Sequence, residues 1–472
     1  MRLLFLILIA VSSVSLLAKP MNVVFFLVDD MGYYDLSYTG SKVMETPNVD
    51  EFAADAASIL QGYAAYPRCV PSRFAMITGV HPSRAEGEGE KLTHTTGDRV
   101  TIADALKAHG YATYFAGKWH LGHDPGKNYP DDQGFDINIG GGSAGAPGTY
   151  FAPFISEGNL SGAERIEAPE GAYLTDVLTD KTVSFIKANK DKPFFVYLSH
   201  YAVHTPIEAK KDMTDRYQKK IDGMQFEGEE FTISRWEGRT LRHQTNAEYA
   251  AMVESVDESM GRIVDVLKAN GLYENTIIIL TSDHGGLSNS GYKSKRELAT
   301  TNLPLRAGKG HMYEGGIRVP VIVRWPGNTK PGSKLDFPMT GMDYYPTILE
   351  MLGFPAQPDD HQDGVSFVPG LKGKKGFNKD RSIFWYSDRG RENSTGDRNA
   401  AVIRNGKYKL LEFFNDNKIE LYDLSKDPGE LNDLSGKLPK VKAALYAELK
   451  EWKKAMKVRD REMEPRRTYQ DD

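Results

Sequence analysis

Reactive side chains follow four apolar runs in this sequence. The runs cover residues 23–28, 112–116, 194–199 and 276–281, and each has the length and composition of a buried strand. In an open parallel sheet, ligands bind beyond the carboxyl ends of the strands, so we expect the residues at these ends to meet in one site. The side chains concerned are Asp29, Asp30, Lys118, His120, His200, His204, Asp283 and His284.

Three of these side chains are carboxylates, and together they predict a cation site. Asp29, Asp30 and Asp283 would repel one another at close range unless a positive charge lay among them. Oxygen ligands favour Ca²⁺ or Mg²⁺, whereas the imidazole of His284 leaves zinc open on residue types alone. The sequence has no EF-hand loop spacing here, so the fold itself would have to assemble the site.

The single cysteine, Cys69, begins a second reactive segment. Pro71 suits the first turn of a helix and Gly79 suits its end, so a short helix that starts at Cys69 is expected. Such an N-terminus favours an anion, and Arg73 one turn along needs a charged partner or water. A buried, inert thiol is the structural alternative. Only three residues separate Cys69 from Arg73, too few for the phosphate loop of a cysteine phosphatase.

The segments between the apolar runs have helical spacing. This alternation predicts an α/β fold with a large, mostly parallel central sheet sandwiched by helices. A capping box at Thr101 and Asp104 predicts the start of one helix. Apolar residues at intervals of three and four from Tyr249 to Leu267 predict a longer one.

The pattern changes after residues 371–376, which we interpret as a domain boundary. Asn405-Gly406 predicts a type I′ hairpin, and residues 440–456 predict a final helix. These features indicate a smaller C-terminal α+β subdomain built on an antiparallel sheet. Residues 122–167 and 210–244 are polar or glycine-rich, and we expect them to be long loops that shape a binding site.

The composition excludes several classes of protein. Of the 472 residues, 40% are hydrophobic and 26% are charged, which rules out a disordered tail or a membrane bundle. The net charge of −5 provides no global positive field, so we expect no nucleic-acid partner and only local recognition of anions.

The N-terminus has the pattern of a secretory signal. Arg2 precedes an apolar run that ends near Ala18, and this run is shorter than the roughly 20 residues that span a bilayer. We therefore predict a signal peptide over residues 1–18, a periplasmic or secreted protein, and no stable membrane insertion after cleavage. With one cysteine, no intramolecular disulfide is possible.

Taken in order, the motifs resemble those of the type I formylglycine-dependent sulfatases. Cys69-Val70-Pro71-Ser72-Arg73 with Thr78-Gly79 is similar to their first signature, and Gly117-Lys118-Trp119-His120-Leu121-Gly122 to their second. The similarity continues through Asp29-Asp30, His204-Thr205-Pro206, Asp283-His284-Gly285 and Tyr313-Glu314-Gly315-Gly316. It implies an alkaline-phosphatase-like fold with a catalytic domain over residues 21–370. Leu421-Tyr422-Asp423-Leu424 with Asp427-Pro428 resembles the family's small terminal domain, here residues 376–472.

The resemblance implies a nucleophile and a metal centre. A formylglycine-generating or anaerobic sulfatase-maturating enzyme would convert Cys69 to formylglycine, whose hydrated aldehyde is the nucleophile. The divalent cation, usually Ca²⁺ in this family with Mg²⁺ as the alternative, would be held by Asp29, Asp30, Cys69, Asp283 and His284. Many members have Asn at the position of His284, and some have His as this chain does.

The resemblance also implies roles for the basic residues. Arg73 and Lys118 would orient the nucleophile, and Lys118 and Lys309 would contact the sulfate. His204 or Lys309 would donate a proton to the departing alcohol, and His120 would take a proton from the hydrated aldehyde. Fixed positive charges suit a sulfate ester because its transition state builds negative charge on oxygen.

The substrate implied is a sulfated oligo- or polysaccharide. The nearest similarity is to bacterial N-acetylgalactosamine-sulfatase-like enzymes, so galactose or N-acetylgalactosamine units of algal or animal polysaccharides are expected. The candidate substrate contacts are His123, His200 and His311, with Tyr150, Phe151, Phe154 and Trp236 as candidate stacking residues.

Two other classes stay open from the sequence. One is a phosphatase, phosphodiesterase or phosphonate hydrolase of the same wider fold. The other is a non-catalytic carbohydrate-binding protein in which Cys69 stays unmodified.

Overall fold

The structure is a computed structural model that describes residues 19–89, 99–122, 126–155, 162–234, 237–291 and 294–458. The predicted signal peptide, His123 and Trp236 lie outside these ranges. Within them, no helix is both long and apolar enough to cross a bilayer.

The chain alternates strands and helices along most of its length. The strands are β1 (Asn22–Val28), β2 (Ala57–Tyr63), β3 (Ala112–Gly117), β4 (Ile137–Ile139), β5 (Phe194–Ser199), β6 (Phe231–Ser234), β7 (Gly238–Leu241), β8 (Thr276–Ser282), β9 (Asn289–Ser290), β10 (Val321–Arg324), β11 (Ser333–Thr340), β12 (Ile383–Ser387), β13 (Ala400–Asn405), β14 (Tyr408–Phe413) and β15 (Lys418–Asp423). The helices are α1 (Pro47–Asp55), α2 (Cys69–Thr78), α3 (Pro82–Gly87), α4 (Ile102–Ala108), α5 (Leu174–Ala188), α6 (Lys211–Asp222), α7 (Ala247–Ala269), α8 (Glu314–Ile317), α9 (Tyr344–Met351), α10 (Val368–Leu371) and α11 (Pro439–Ala455).

An eight-stranded sheet in the order β11-β2-β10-β8-β1-β5-β3-β4 forms the centre of the fold. The four strands predicted from the apolar runs, β8, β1, β5 and β3, are adjacent and parallel. In β1, Val24 pairs with Ile278 of β8 and with Val196 of β5, so the carboxyl ends of these strands lie side by side. The predicted mostly parallel sheet is confirmed, and only β10 runs antiparallel within it, between β2 and β8.

Helices cover both faces of this sheet because the strands are apolar on both faces. Val24, Phe26 and Val28 pack into one core with residues of α5 and α7. Val23, Phe25 and Leu27 alternate with them and pack into a second core with α2, α4 and α9. Burial of each such side chain stabilises the fold by roughly 1.5–3 kcal/mol, so the central strands are the rigid base on which the loops rest.

Local sequence signals set the ends of several helices. Thr101 and Asp104 form the predicted capping box at the start of α4. The predicted long amphipathic helix is α7, and Gly271 follows its end with a φ of +66°. Helix α2 begins at Cys69 as predicted and ends at Gly79, whose left-handed φ of +67° favours glycine.

A separate four-stranded antiparallel sheet, β12-β13-β14-β15, confirms the predicted C-terminal subdomain. Helix α11 packs on one face of it through Leu445 and Leu449. The hairpin register is one residue later than predicted, because Asn405 ends β13 and pairs with Tyr408. The two residues between Asn405 and Tyr408 form the turn, and only Gly406 of these has a positive φ. The predicted type I′ turn at Asn405-Gly406 is therefore wrong.

The prediction of a long loop over residues 210–244 is also wrong. This segment contains α6 and the hairpin β6–β7, which continues through β9 into a three-stranded sheet. Helix α6 buries Met213, Tyr217 and Ile221 at intervals of four, a stripe that polar neighbours mask in the sequence.

Candidate active site

Cys69 lies at the N-terminus of α2, against the end of β8. Its side chain is buried, with 6% of the residue exposed. Ser72 Oγ donates a hydrogen bond of 2.6 Å to the carbonyl oxygen of Asp283, which ties the first turn of α2 to the residue that follows β8. The helix start and the strand end therefore share one site.

The three predicted carboxylates meet beside Cys69. Asp29 and Asp30 follow β1, and the backbone N–H of Asp30 donates to Asp283 Oδ1 at 3.2 Å. All three are essentially inaccessible to solvent. Side-chain atoms of Asp29, Cys69, Asp283 and His284 all lie within 4.8 Å of one another.

Two lysines neutralise the carboxylates that follow β1. Lys118 Nζ donates to Asp29 Oδ2 at 2.5 Å, and Lys309 Nζ donates to both carboxylate oxygens of Asp30 at 2.7 Å. Burial raises the pKa of Asp30, but the charges of Lys309, His204 and His284 outweigh it and hold that pKa far below its usual range. Both carboxylates are therefore ionised.

Close packing of two strand ends positions Lys118. Its backbone N–H donates to the carbonyl oxygen of Ser199 at 2.7 Å, which joins the end of β3 to the end of β5. A Cβ on Gly117 would lie 1.9 Å from that same oxygen, and Gly117 has a φ of +101°. Glycine is required there for the lysine to reach the site.

Arg73 connects the helix to four strand ends. Its Nε donates to Asp283 Oδ2 at 2.9 Å, and its Nη1 donates to Lys118 O at 2.9 Å and Ser199 Oγ at 2.8 Å. Its Nη2 lies 3.2 Å from Asp29 Oδ1. Although burial disfavours the charged form, Asp283 and Asp29 hold the pKa of Arg73 above its ordinary value.

His284 and His120 contact Cys69 directly. His284 Nε2 lies 3.2 Å from Cys69 Sγ and 3.3 Å from Asp30 Oδ1. Burial lowers the pKa of His284, but Asp283, Cys69 and Asp30 together raise it to about 9. Burial is the main cause that lowers the pKa of His120, which interacts with Cys69, so His120 is neutral at pH 7.

The thiol itself is in a positive environment. Burial raises the pKa of Cys69, yet the charges of Lys118, Lys309 and His284 bring that pKa well below its usual value. An anionic group at this position is thus favoured by the surrounding protein.

His204 enters the site from the loop after β5. The backbone of Asp29 pairs with that loop, donating to Ala202 O at 3.0 Å and accepting from Val203 N at 2.8 Å. His204 Nε2 lies 3.8 Å from Asp30 Oδ2, and its Nδ1 lies 2.7 Å from Thr205 O. Burial, with Lys309 next, lowers the pKa of His204 to about 4.

The structure brings the catalytic and metal-ligand candidates into one cluster. They are Asp29, Asp30, Cys69, Arg73, Lys118, His120, His204, Asp283, His284 and Lys309. Sequence reasoning missed Ser199, which accepts from Arg73. The sequence feature that could have pointed to Ser199 is a hydroxyl side chain at the last position of an apolar strand.

Several candidate substrate contacts are buried, although His311 and Tyr150, whose hydroxyl donates to His204 O at 2.9 Å, adjoin the site. His200 is fully buried, with Nε2 2.9 Å from Ser259 Oγ on α7 and its ring beside Phe26. Tyr150 and Phe154 are buried in the core and present no face to a sugar, whereas Phe151 is partly buried. His311 is 3% exposed and contacts Thr395 O at 2.9 Å. Apolar and polar packing explains all four buried side chains.

Comparison with known proteins agrees with this geometry. The family described as Sulfatase matches residues 21–354, and the one described as N-sulphoglucosamine sulphohydrolase, C-terminal, matches residues 307–457. The N-acetylgalactosamine-6-sulfatase of Rattus norvegicus is 30% identical and aligns with 81% of this chain and 72% of its own. The N-acetylgalactosamine-6-O-sulfatase of Bacteroides thetaiotaomicron is 27% identical over 93% of this chain and 94% of its own.

A solved structure has the same overall fold. The crystal structure of Ps i-CgsB in complex with k-i-k-neocarrahexaose aligns with a TM-score of 0.75 and 29% identity, covering 92% of this chain and 93% of that one. The chain therefore belongs to the sulfatase family. Within that family it is a sulfuric ester hydrolase with an alkaline-phosphatase-like fold.

The contacts of Arg73 predict a large effect on stability. Arg73→Met leaves Asp29 and Asp283 buried without this cation, so the free energy of unfolding should fall by about 3–5 kcal/mol. Urea unfolding of the metal-free protein, followed by tryptophan fluorescence, measures the change. Arg216→Gln, which breaks an exposed pair with Glu254, should cost no more than about 1 kcal/mol. Equal midpoints for Arg73→Met and the wild type would contradict this account.

Proposed function

We propose that this protein hydrolyses sulfate esters on galactose or N-acetylgalactosamine units of an algal or animal polysaccharide. The observation that carries the proposal is the buried Cys69 at a helix N-terminus, enclosed by three carboxylates and three fixed cations. The names of two relatives, each an N-acetylgalactosamine 6-sulfatase, and the neocarrahexaose bound in the related structure support this sugar class.

Residue 69 acts as formylglycine in this proposal. The hydrated aldehyde would supply a nucleophilic hydroxyl that is held by the same neighbours as the thiol. Because Cys69 is 6% exposed in the folded chain, the formylglycine-generating or anaerobic sulfatase-maturating enzyme must act before α2 docks. This order suits a chain that is exported through its predicted signal and works in the periplasm or outside the cell.

The donor set fits a divalent cation. Asp29 Oδ1 is buried and forms an ion pair with Arg73 at 3.2 Å, but it accepts no hydrogen bond from any described residue, so a lone pair remains available beside Cys69. Asp30 and Asp283 provide further oxygens, which favour Ca²⁺ with Mg²⁺ as the alternative. His284 would have to lose a proton before its Nε2 could ligate, so metal binding there would release a proton. When bound, the cation would stabilise negative charge on the nucleophile and the sulfate.

Lys118, Lys309 and Arg73 then provide the fixed positive charge for the sulfate. Their ammonium and guanidinium groups are already oriented by Asp29, Asp30 and Asp283, so little reorganisation accompanies the reaction. In this proposal Lys118 and Lys309 contact the sulfate oxygens, and Arg73 orients the nucleophile.

Two neutral histidines move the protons. His120 is neutral and interacts with residue 69, so it can accept a proton from the nucleophile. His204 lies beside Asp30 and donates its Nδ1 proton to Thr205 O, which leaves Nε2 as the atom that faces the leaving oxygen. An anionic substrate would raise the pKa of His204 and allow it to donate, with Lys309 as the alternative donor.

Conversion of Cys69 is the direct test. When the protein is co-expressed with a maturating enzyme, the tryptic peptide Cys69–Arg73 should lose one sulfur and two hydrogens and gain one oxygen. Cys69→Ala should reduce sulfate release by at least about a thousandfold, because no comparable nucleophile remains. A free thiol with retained sugar binding would indicate the non-catalytic alternative, and faster cleavage of phosphate esters would indicate a phosphatase.

Metal removal tests the donor set. Chelation by EDTA should abolish sulfate release, and Ca²⁺ should restore it. At a concentration 100 times its Kd, Ca²⁺ should also stabilise the folded protein by about 2.7 kcal/mol in thermal or urea unfolding. Asp283→Asn should lose that stabilisation, whereas Asp180→Asn, an exposed acid on α5, should keep it. Equal stabilisation of both variants would place the cation elsewhere.

The role of His204 predicts a dependence on the leaving group. His204→Ala should lower kcat on a sulfated sugar by about 10²–10⁴-fold, the usual contribution of general acid catalysis. The loss should be much smaller on 4-nitrophenyl sulfate, whose leaving group departs without a proton. His109→Ala, at an exposed position, should match the wild type on both substrates. An equal loss on both substrates would remove His204 from proton donation.

A further inference from the structure

Arg68, which directly precedes Cys69, is a buried cation with unused hydrogen-bond donors. Its Nη2 donates to Asp397 Oδ1 at 2.5 Å and to Thr395 Oγ1 at 3.0 Å. Its Nε and Nη1 are buried and have no hydrogen-bond partner among the described residues. The Arg68 side chain is only 8% exposed, so water does not satisfy these donors freely. A buried guanidinium with two unpaired donors is able to bind an anionic ligand.

A turn of the C-terminal subdomain holds Arg68 in place. Within that turn, the backbone N–H groups of Ser394 and Thr395 donate to Arg391 O, and that of Arg391 donates to Asp397 Oδ2 at 3.2 Å. Asp397 therefore fixes both the turn and the Arg68 guanidinium.

The same turn abuts the loop that carries Lys309. Gly310 N donates to Pro67 O at 2.8 Å. A Cβ on Gly310 would lie 2.6 Å from Asp397 Oδ1 and 2.9 Å from Arg68 Nη2. The Arg68 side chain therefore lies against Gly310, the residue that follows Lys309.

Arg391 adds a second guanidinium on the turn that holds Arg68. Its side chain reaches solvent and makes no ion pair or hydrogen bond with the described residues. Its backbone N–H donates to Asp397, the carboxylate that pairs with Arg68, and its charge interacts with those of Arg68, Asp397 and Cys69. Among the described residues, Asp397 is the only carboxylate that pairs with Arg68, and it leaves the Nε and Nη1 donors of Arg68 for another anion.

We propose that Arg68 and Arg391 form a second anion-binding subsite, which binds another anionic group of the saccharide while its reacting sulfate lies at residue 69. This inference rests on the proposed function. The group is a second sulfate ester or a uronate carboxylate, since both match the flat, forked donors of arginine. The protein would therefore prefer multiply charged oligosaccharides over singly sulfated ones.

The test compares substrates that differ only in the second anion. For the calcium-loaded, converted enzyme, kcat/KM is measured on a monosulfated oligosaccharide, its disulfated counterpart and its uronate-containing counterpart. Arg391→Gln should lower the preference for the second anion about tenfold. The matched control is Arg389→Gln in the same segment, which pairs with Glu86 and should keep the preference within about twofold. The counterpart whose preference falls identifies the anion as sulfate or carboxylate.

A binding measurement separates this inference from the proposed function. Titration calorimetry with the same sugars compares Cys69→Ala with the double variant Cys69→Ala/Arg391→Gln. The double variant should prefer the sugar with the second anion about tenfold less. This result does not depend on turnover. Arg68→Lys keeps a charge for Asp397 but removes the spare donors, and it should give a comparable loss. Failure of the wild type to release sulfate would overturn the proposed function alone. An unchanged preference in both arginine variants would overturn the subsite.

Discussion

The buried neutralisation of three carboxylates by three fixed cations is the constraint on which the site depends. Removing so many charges from water is costly, and the cost is offset only where the partners are close and well oriented. The pairs Lys118 with Asp29 and Lys309 with Asp30 meet that condition at 2.5 and 2.7 Å. Arg73 completes the set by joining Asp283 to two other strand ends. A small displacement of any strand would leave a buried charge unpaired.

This constraint explains why the site needs a parallel sheet. Strands β8, β1, β5 and β3 run in one direction, so their carboxyl ends lie at one edge and deliver acids, a lysine and histidines to a common point. Apolar packing on both faces keeps these ends in register. The net charge of the chain is −5, yet the surroundings of Cys69 are positive enough to favour an anion. Local arrangement, and not overall charge, therefore decides what the site binds.

The C-terminal subdomain contributes to the site as well as to the fold. Lys409 of β14 is fully buried between Glu314 and Glu430, at 3.0 and 2.9 Å, which fastens the small sheet to the loop after Lys309. From the same subdomain, Asp397 holds Arg68 beside the nucleophile position. Residue 69 is therefore enclosed by both parts of the chain.

The sequence by itself determined the elements whose signals are local. Continuous apolar runs predicted the four central strands, and Pro71 with Gly79 predicted the extent of α2. The residues that follow these strands and those that begin α2 form most of the site, because a parallel sheet places the carboxyl ends of its strands together. Tertiary structure alone decided the rest. The burial of His200 against α7 and the contact of Arg68 with Asp397, 329 positions later, depend on how distant segments pack, and no local pattern of residue types encodes that packing.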